Sequence, residues 1–164
     1  MNNLVGNFTG MDGRINRQAW WIGVVILIVV AIVLNFILGA IMGGGMPSLE
    51  QLMDPAVMAA YAQKQGWISL IIGLITAYPY IALSVKRRHD RDNNGYDAIG
   101  LIVFSLVWSL VQALGFVGST NPIYMIVSVI FLIYAIYVLV QLGFLKGTPG
   151  ANSYGADPLG YAAA

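Results

Sequence analysis

The chain has 164 residues, 59% of them hydrophobic and 9% charged, with a formal net charge of +1 and a mean hydropathy of +0.77. Soluble domains carry roughly 25% charged residues, so this composition cannot cover a water-facing surface and excludes a soluble globular protein. With no cysteine, disulfides, thiolate metal sites and cysteine nucleophiles are excluded as well.

Residues 1–19 are polar and rich in turn formers, with Arg14 and Arg17 as their cations. Asn16 is placed to cap a helix, its side-chain oxygen accepting from N–H groups one turn on. Trp20 and Trp21 stand where interfacial aromatics belong. Residues 20–42 form an apolar run, and roughly 20 residues suffice to cross a bilayer. A cleaved signal peptide has a shorter apolar region of roughly 7–15 residues, so this run is expected to be an uncleaved first span.

Gly43-Gly44-Gly45 ends that helix. The connection to about Gln65 carries Glu50, Asp54 and Lys64. Ser48 and Gln51 have the spacing of a capping box, and Asp54-Pro55 reads as an N-cap followed by proline at the first helical position. Val57, Met58 and Tyr61 fall on one helical face. One or two short helices on the membrane surface, ending near Gly66, are expected here. Residues 66–85 form the second span, in which Pro79 removes a backbone donor and should bend the helix near Ile75.

The next stretch, Lys86-Arg87-Arg88-His89-Asp90-Arg91-Asp92-Asn93-Asn94-Gly95-Tyr96-Asp97, holds half of the basic residues and the only histidine. If the second helix continues into it, Lys86 faces Asp90 and Arg88 faces Asp92 at i,i+4 in the less favourable order. Acids at a helix C-terminus also oppose the macrodipole, so Asp90 and Asp92 are expected to find partners elsewhere. Asn93-Asn94-Gly95 makes a tight turn, and Asp97 is expected to cap a third span over residues 98–117. An uncharged turn, Gly118 to Asn121, and Pro122 then open a fourth span over residues 123–145. Lys146 closes it, and residues 147–158 read as irregular.

The fold class predicted is an all-α membrane protein: a single domain of four transmembrane helices, with short surface helices in the first, outer connection. Four spans put both termini and the charged stretch on one side. That side carries Arg14, Arg17, Lys86, Arg87, Arg88, Arg91 and Lys146, and the other only Lys64. The asymmetry predicts, by the positive-inside rule, a multi-pass membrane protein with both termini cytoplasmic; a bacterial inner-membrane location is what the family resemblance given below implies.

Three polar segments therefore share the cytoplasmic face: Gly13 to Trp21, the charged stretch and the tail from Gly147 to Pro158. They are expected to fold together, with Arg14 or Arg17 pairing with Asp90, Asp92 or Asp157, although topology alone would also gather the cations there. His89-Asp90 invites a metal or general-base reading. Metal sites need three or four protein ligands, and a base needs a partnered nucleophile, which the sequence does not offer. No metal and no cofactor is expected. Walker-type glycine loops and intramembrane acids are lacking too. Inside the spans, Asn35, Gln112 and Gln141 can hydrogen-bond between helices, and Gly39 with Gly43 matches a helix-association spacing.

The same three segments resemble the bacterial inner-membrane family catalogued as domain of unknown function 805. Phe8 with Gly13-Arg14-Ile15-Asn16-Arg17-Gln18-Ala19-Trp20 matches its aromatic-Gly-Arg-x-x-Arg-x-x-aromatic start. Arg87-Arg88-His89-Asp90 leading to Asn94-Gly95-Tyr96 is similar to its central motif, with Arg88 in place of leucine, Asn94 of serine and Tyr96 of tryptophan. Gly147, Gly150, Asn152, Tyr154, Gly155, Asp157 and Pro158 match its tail. The resemblance implies four spans and supplies no established activity.

On these grounds the expected function is a non-catalytic interaction or accessory module. Arg14, Arg17, Arg87, Arg88, Arg91 and His89 are the candidate contacts to anionic lipid headgroups or a partner. Asp90, Asp92, Asn152, Tyr154 and Asp157 are expected to form a structural cluster. A larger membrane-protein complex or a homo-oligomer is the expected protein partner, and nucleic acid is not expected. The alternatives are an oligomeric small-solute channel or transporter, and an interfacial lipid-modifying enzyme using His89 and Asp90.

Overall fold

A computed structural model describes residues 4–43, 45–116 and 122–160. Helices α1 (Leu4–Thr9), α2 (Arg17–Ile41), α3 (Leu49–Leu52), α4 (Pro55–His89), α5 (Tyr96–Ala113) and α6 (Pro122–Leu139) follow in order. A π-helical turn, Val140–Phe144, extends α6. No strand occurs among the described residues. Four helices are long and apolar enough to cross a membrane: α2, α4, α5, and α6 with its π turn.

Local chemistry sets most of the boundaries. Asn16 caps α2 by accepting from the Ala19 N–H at 2.8 Å. Ser48 and Gln51 close the capping box of α3. Asp54 caps α4 through the Ala56 N–H, with Pro55 as its first residue. The helix begun at Pro55 does not end near Gly66, contrary to the expectation of a separate surface helix. It runs unbroken through the second span to His89. Gly66 does not stop it, because its missing side chain admits the Ala113 backbone of α5: a Cβ there would lie 2.4 Å from the Ala113 nitrogen. At 1.5 Å per residue the 35 residues of α4 reach about 52 Å. That exceeds the roughly 30 Å hydrocarbon layer, so one helix carries a segment beyond the span at its start, the span itself and the charged stretch.

Three further expectations change. Residues 4–9, part of the stretch read as polar and rich in turn formers, form α1, which lies along α4, where the Tyr78 hydroxyl donates to the Thr9 carbonyl at 2.9 Å. The N-cap of α5 is Gly95 at φ +76°, with Asp97 in the first turn; a Cβ on Gly95 would press within 3.0 Å of the Val85 Cα. The third span ends at Ala113. The turn expected at Gly118 to Asn121 lies outside the described residues.

The buried core sits at one end of the bundle. Ile15, Ala19, Trp20, Leu83, Ala98, Val138 and Leu142 form it, and Phe8, Val24, Leu27, Leu101 and Tyr134 pack on it. Trp20 is therefore an interior residue, 1% exposed, and Trp21 is the tryptophan at the surface. Towards the other end, Phe36, Ile37, Ile41, Met125 and Ile126 are exposed apolar side chains, as expected of helices solvated by lipid. Gly39 has nothing within 4 Å of where a Cβ would stand.

Candidate functional site

The charged end of α4 meets the segment before α2 and the tail after the fourth span directly above this core. The Ile15 N–H donates to the Lys86 carbonyl at 3.3 Å, which lays the segment before α2 against α4. Arg14 then points into the tail. Its Nη2 donates to Asp90 Oδ1 at 3.0 Å and to the Thr148 carbonyl at 2.7 Å, and its Nη1 to the carbonyls of Gly150 (2.7 Å) and Gly155 (3.2 Å). The Arg14 and Asp90 side chains are only 1% and 6% exposed.

Asp90 is the centre of the arrangement. Its Oδ2 accepts from Nη1 of Arg87, a side chain with no exposure. Its backbone carbonyl accepts from the Thr148 N–H at 2.8 Å. Burial holds the Asp90 carboxyl above the usual carboxylate range. The Arg14 hydrogen bond and the Arg87 and Arg14 charges pull it back, and Asp157 adds to the rise. Such a carboxylate needs both guanidiniums, since a buried charge without partners is costly.

The remaining arginines hold the end of the fourth span. Arg87 Nε donates to the Leu142 carbonyl at 2.8 Å, and its Nη2 to that of Leu145. Arg17 Nη1 donates to the Phe144 carbonyl at 2.9 Å. Arg88 and Arg91 both donate to the Gln141 side chain, and Arg88 also pairs with Asp97 at 3.0 Å. The last carbonyls of a helix lack intrahelical donors and carry the negative end of its dipole, so cations are their natural caps. Neither i,i+4 pair considered for this stretch forms: Lys86 donates to the Gly6 carbonyl, and Asp92 accepts from the Ser153 N–H at 3.2 Å.

The tail is irregular but fixed. Asn152 donates to the His89 carbonyl at 2.8 Å and to Thr148 Oγ1 at 3.0 Å. Asp157 accepts from the Gly150 N–H at 3.0 Å. The Tyr154 ring stacks on His89, with centroids 3.8 Å apart and planes 8° from parallel. His89 Nδ1 lies 3.2 Å from the Gly13 carbonyl; a carbonyl only accepts, so this nitrogen carries the proton.

All eleven residues singled out from the sequence thus lie in or beside one cap over the bundle. Of the six nominated for lipid or partner contact, Arg14, Arg87 and Arg88 are turned inward to protein acceptors, and Arg17 is exposed. Gln141, expected to hydrogen-bond between helices, accepts from Arg88 and Arg91, whereas Thr148 and the carbonyls of Leu142, Phe144 and Leu145 were not anticipated. Carbonyl acceptors leave no trace in side-chain chemistry. No cluster of three or more potential metal ligands occurs among the described residues.

Four apolar helices under a polar cap define a multi-pass helical membrane protein. The family described as "Protein of unknown function (DUF805)" matches residues 8–156, and the chain belongs to that family. Among curated proteins, it is similar to inner membrane protein YhaH of Escherichia coli (strain K12), 25% identical over 155 residues, covering 94% of this chain and 92% of the relative. Inner membrane protein YhaI of the same strain is 24% identical over 156 residues, covering 95% and 92%. Both relatives are named inner membrane proteins, and the four apolar helices fit that location. No solved structure matches significantly.

Proposed function

We propose that this protein is a non-catalytic interaction module of the bacterial inner membrane, with its cap and both termini in the cytoplasm, and that the cap binds anionic lipid headgroups. One observation carries the reading. Seven of the eight lysines and arginines lie on the cap face with five of the seven acids, Asp12, Asp90, Asp92, Asp97 and Asp157. The face is therefore positive on balance, and hydrogen bonds to the segment before α2 and to the tail fix it before any ligand arrives.

Each Lys or Arg close to an anionic leaflet contributes roughly 1 kcal/mol. Asp90, the acid a lipid-modifying enzyme would pair with His89, has both oxygens held by arginines, and the His89 Nδ1–H goes to the Gly13 carbonyl in its place. That favours binding over catalysis.

Thermal unfolding in nanodiscs tests the reading. Replacing phosphatidylcholine by phosphatidylglycerol should raise the melting temperature, and the rise should shrink with added salt because screening lengths fall from about 10 Å at 0.1 M to 3 Å at 1 M. Equal melting temperatures in the two lipids, or retention of a stoichiometric protein partner with no lipid preference, would overturn it.

A further inference from the structure

Four cations of the cap have no carboxylate partner among the described residues; Lys86 and Arg91 are held by the Gly6 carbonyl and by Gln141, and Arg17 and Lys146 are the two that are exposed. Arg17, the first residue of α2, is exposed and gives one Nη1–H to the Phe144 carbonyl. Lys146, just past the fourth span, is exposed, and its ammonium meets no acceptor among the described residues. Both line one cleft of about 480 Å³, together with Asn16, Thr148, Asp90 and Asp157. A neighbouring hollow of about 350 Å³ shares Asn16 and Arg17 with it and reaches Trp21 and Gly143.

The two acids in the cleft are already occupied. Asp90 is held by Arg14 and Arg87, and Asp157 accepts from the N–H groups of Gly150 (3.0 Å) and Leu159 (2.8 Å). Counting Arg14 and Arg87 with Arg17 and Lys146 against these two carboxylates leaves the site positive. The helix end adds to this. Asn16 takes the Ala19 N–H, so the backbone N–H groups of Arg17 and Gln18 meet no acceptor among the described residues, at the positive end of the α2 dipole. A guanidinium, an ammonium and a helix start around one hollow make a phosphate site, and the adjoining hollow leads past Trp21 to the apolar spans.

We infer that the cleft between Arg17 and Lys146 binds the phosphate of an anionic phospholipid, whose acyl chains leave along Trp21. This rests on the lipid-binding reading above and assigns it a place. The bound phosphate bridges the start of α2 to the tail, so lipid and tail docking support one another.

The test compares wild type, Lys146→Gln, the Arg17→Gln/Lys146→Gln double variant and Lys64→Gln, a control on the opposite face. Retention of phosphatidylglycerol against phosphatidylcholine is measured by native mass spectrometry from mixed nanodiscs. A loss of roughly fivefold for Lys146→Gln and on the order of thirtyfold for the double variant is expected, with Lys64→Gln unchanged. Arg17 also supports Phe144, so if the double variant does not fold, Lys146→Gln alone decides the matter. Unchanged phosphatidylglycerol retention in the folded cleft variants overturns the site while leaving a general lipid preference standing. A wild type indifferent to phosphatidylglycerol overturns both. In a parallel arm with inorganic phosphate and no added lipid, protection of wild type equal to that given by phosphatidylglycerol would overturn the lipid assignment in favour of a soluble anion.

Discussion

The Arg14 guanidinium meets the Asp90 carboxylate at 3.0 Å, joining residues 76 positions apart while their side chains are almost wholly buried. Breaking a buried pair by removing one partner costs about 3–5 kcal/mol. Arg14→Ala should therefore lower the melting temperature in detergent markedly. Arg14→Lys should restore little, because one ammonium cannot reproduce the fork that reaches Asp90 and the Thr148 and Gly150 carbonyls together. A lysine variant as stable as wild type would show that charge alone matters at this site.

Asp90→Ala should be worse than Arg14→Ala, since it strands two guanidiniums, Arg14 and Arg87, in place of one carboxylate. A double-mutant cycle over Arg14 and Asp90 should give a coupling of about 1–3 kcal/mol. Additive losses would mean that the two residues act independently.

Gly147 touches the same carboxylate. A Cβ there would stand 2.1 Å from Asp90 Oδ2, and that oxygen cannot yield because Arg87 holds it. Gly147→Ala should release the tail and expose it to limited proteolysis after residue 147, with the four spans still folded. Wild-type protease resistance would contradict the tail's docking.

Within the membrane, Gly66→Ala and Gly39→Ala separate packing from sequence pattern. The first forces a methyl group into the Ala113 backbone and should cost about 1–3 kcal/mol. The second meets nothing within 4 Å and should leave monomer stability unchanged in the same thermal assay. Similar effects from the two would contradict the close α4–α5 contact.

Hydropathy and charge made the four spans and the clustering of charge readable from the sequence, because both follow from the dielectric contrast between lipid and water. The Asp54-Pro55 start was readable as well. Its extent was not, since nothing local distinguishes a surface helix from the first turns of a longer one. Helix α1 has only six residues and depends on contacts with Tyr78 and Lys86 of α4, which a local reading cannot see. Trp20 and Trp21 show the same limit: as neighbours of identical chemistry, one faces the core and the other the surface only because of where α4 lies. The motif residues were found, but the direction of their charges was not. Most of the arginines serve backbone carbonyls and buried acids, and only the geometry reveals which cations remain for a ligand.

The most direct measurement extracts the protein from its native membrane in polymer-bounded discs and compares the phospholipids carried with it to those of the bulk membrane. The account predicts enrichment of anionic phospholipid around the wild-type protein and loss of that enrichment in Lys146→Gln. A disc composition equal to the bulk membrane for both proteins would contradict it.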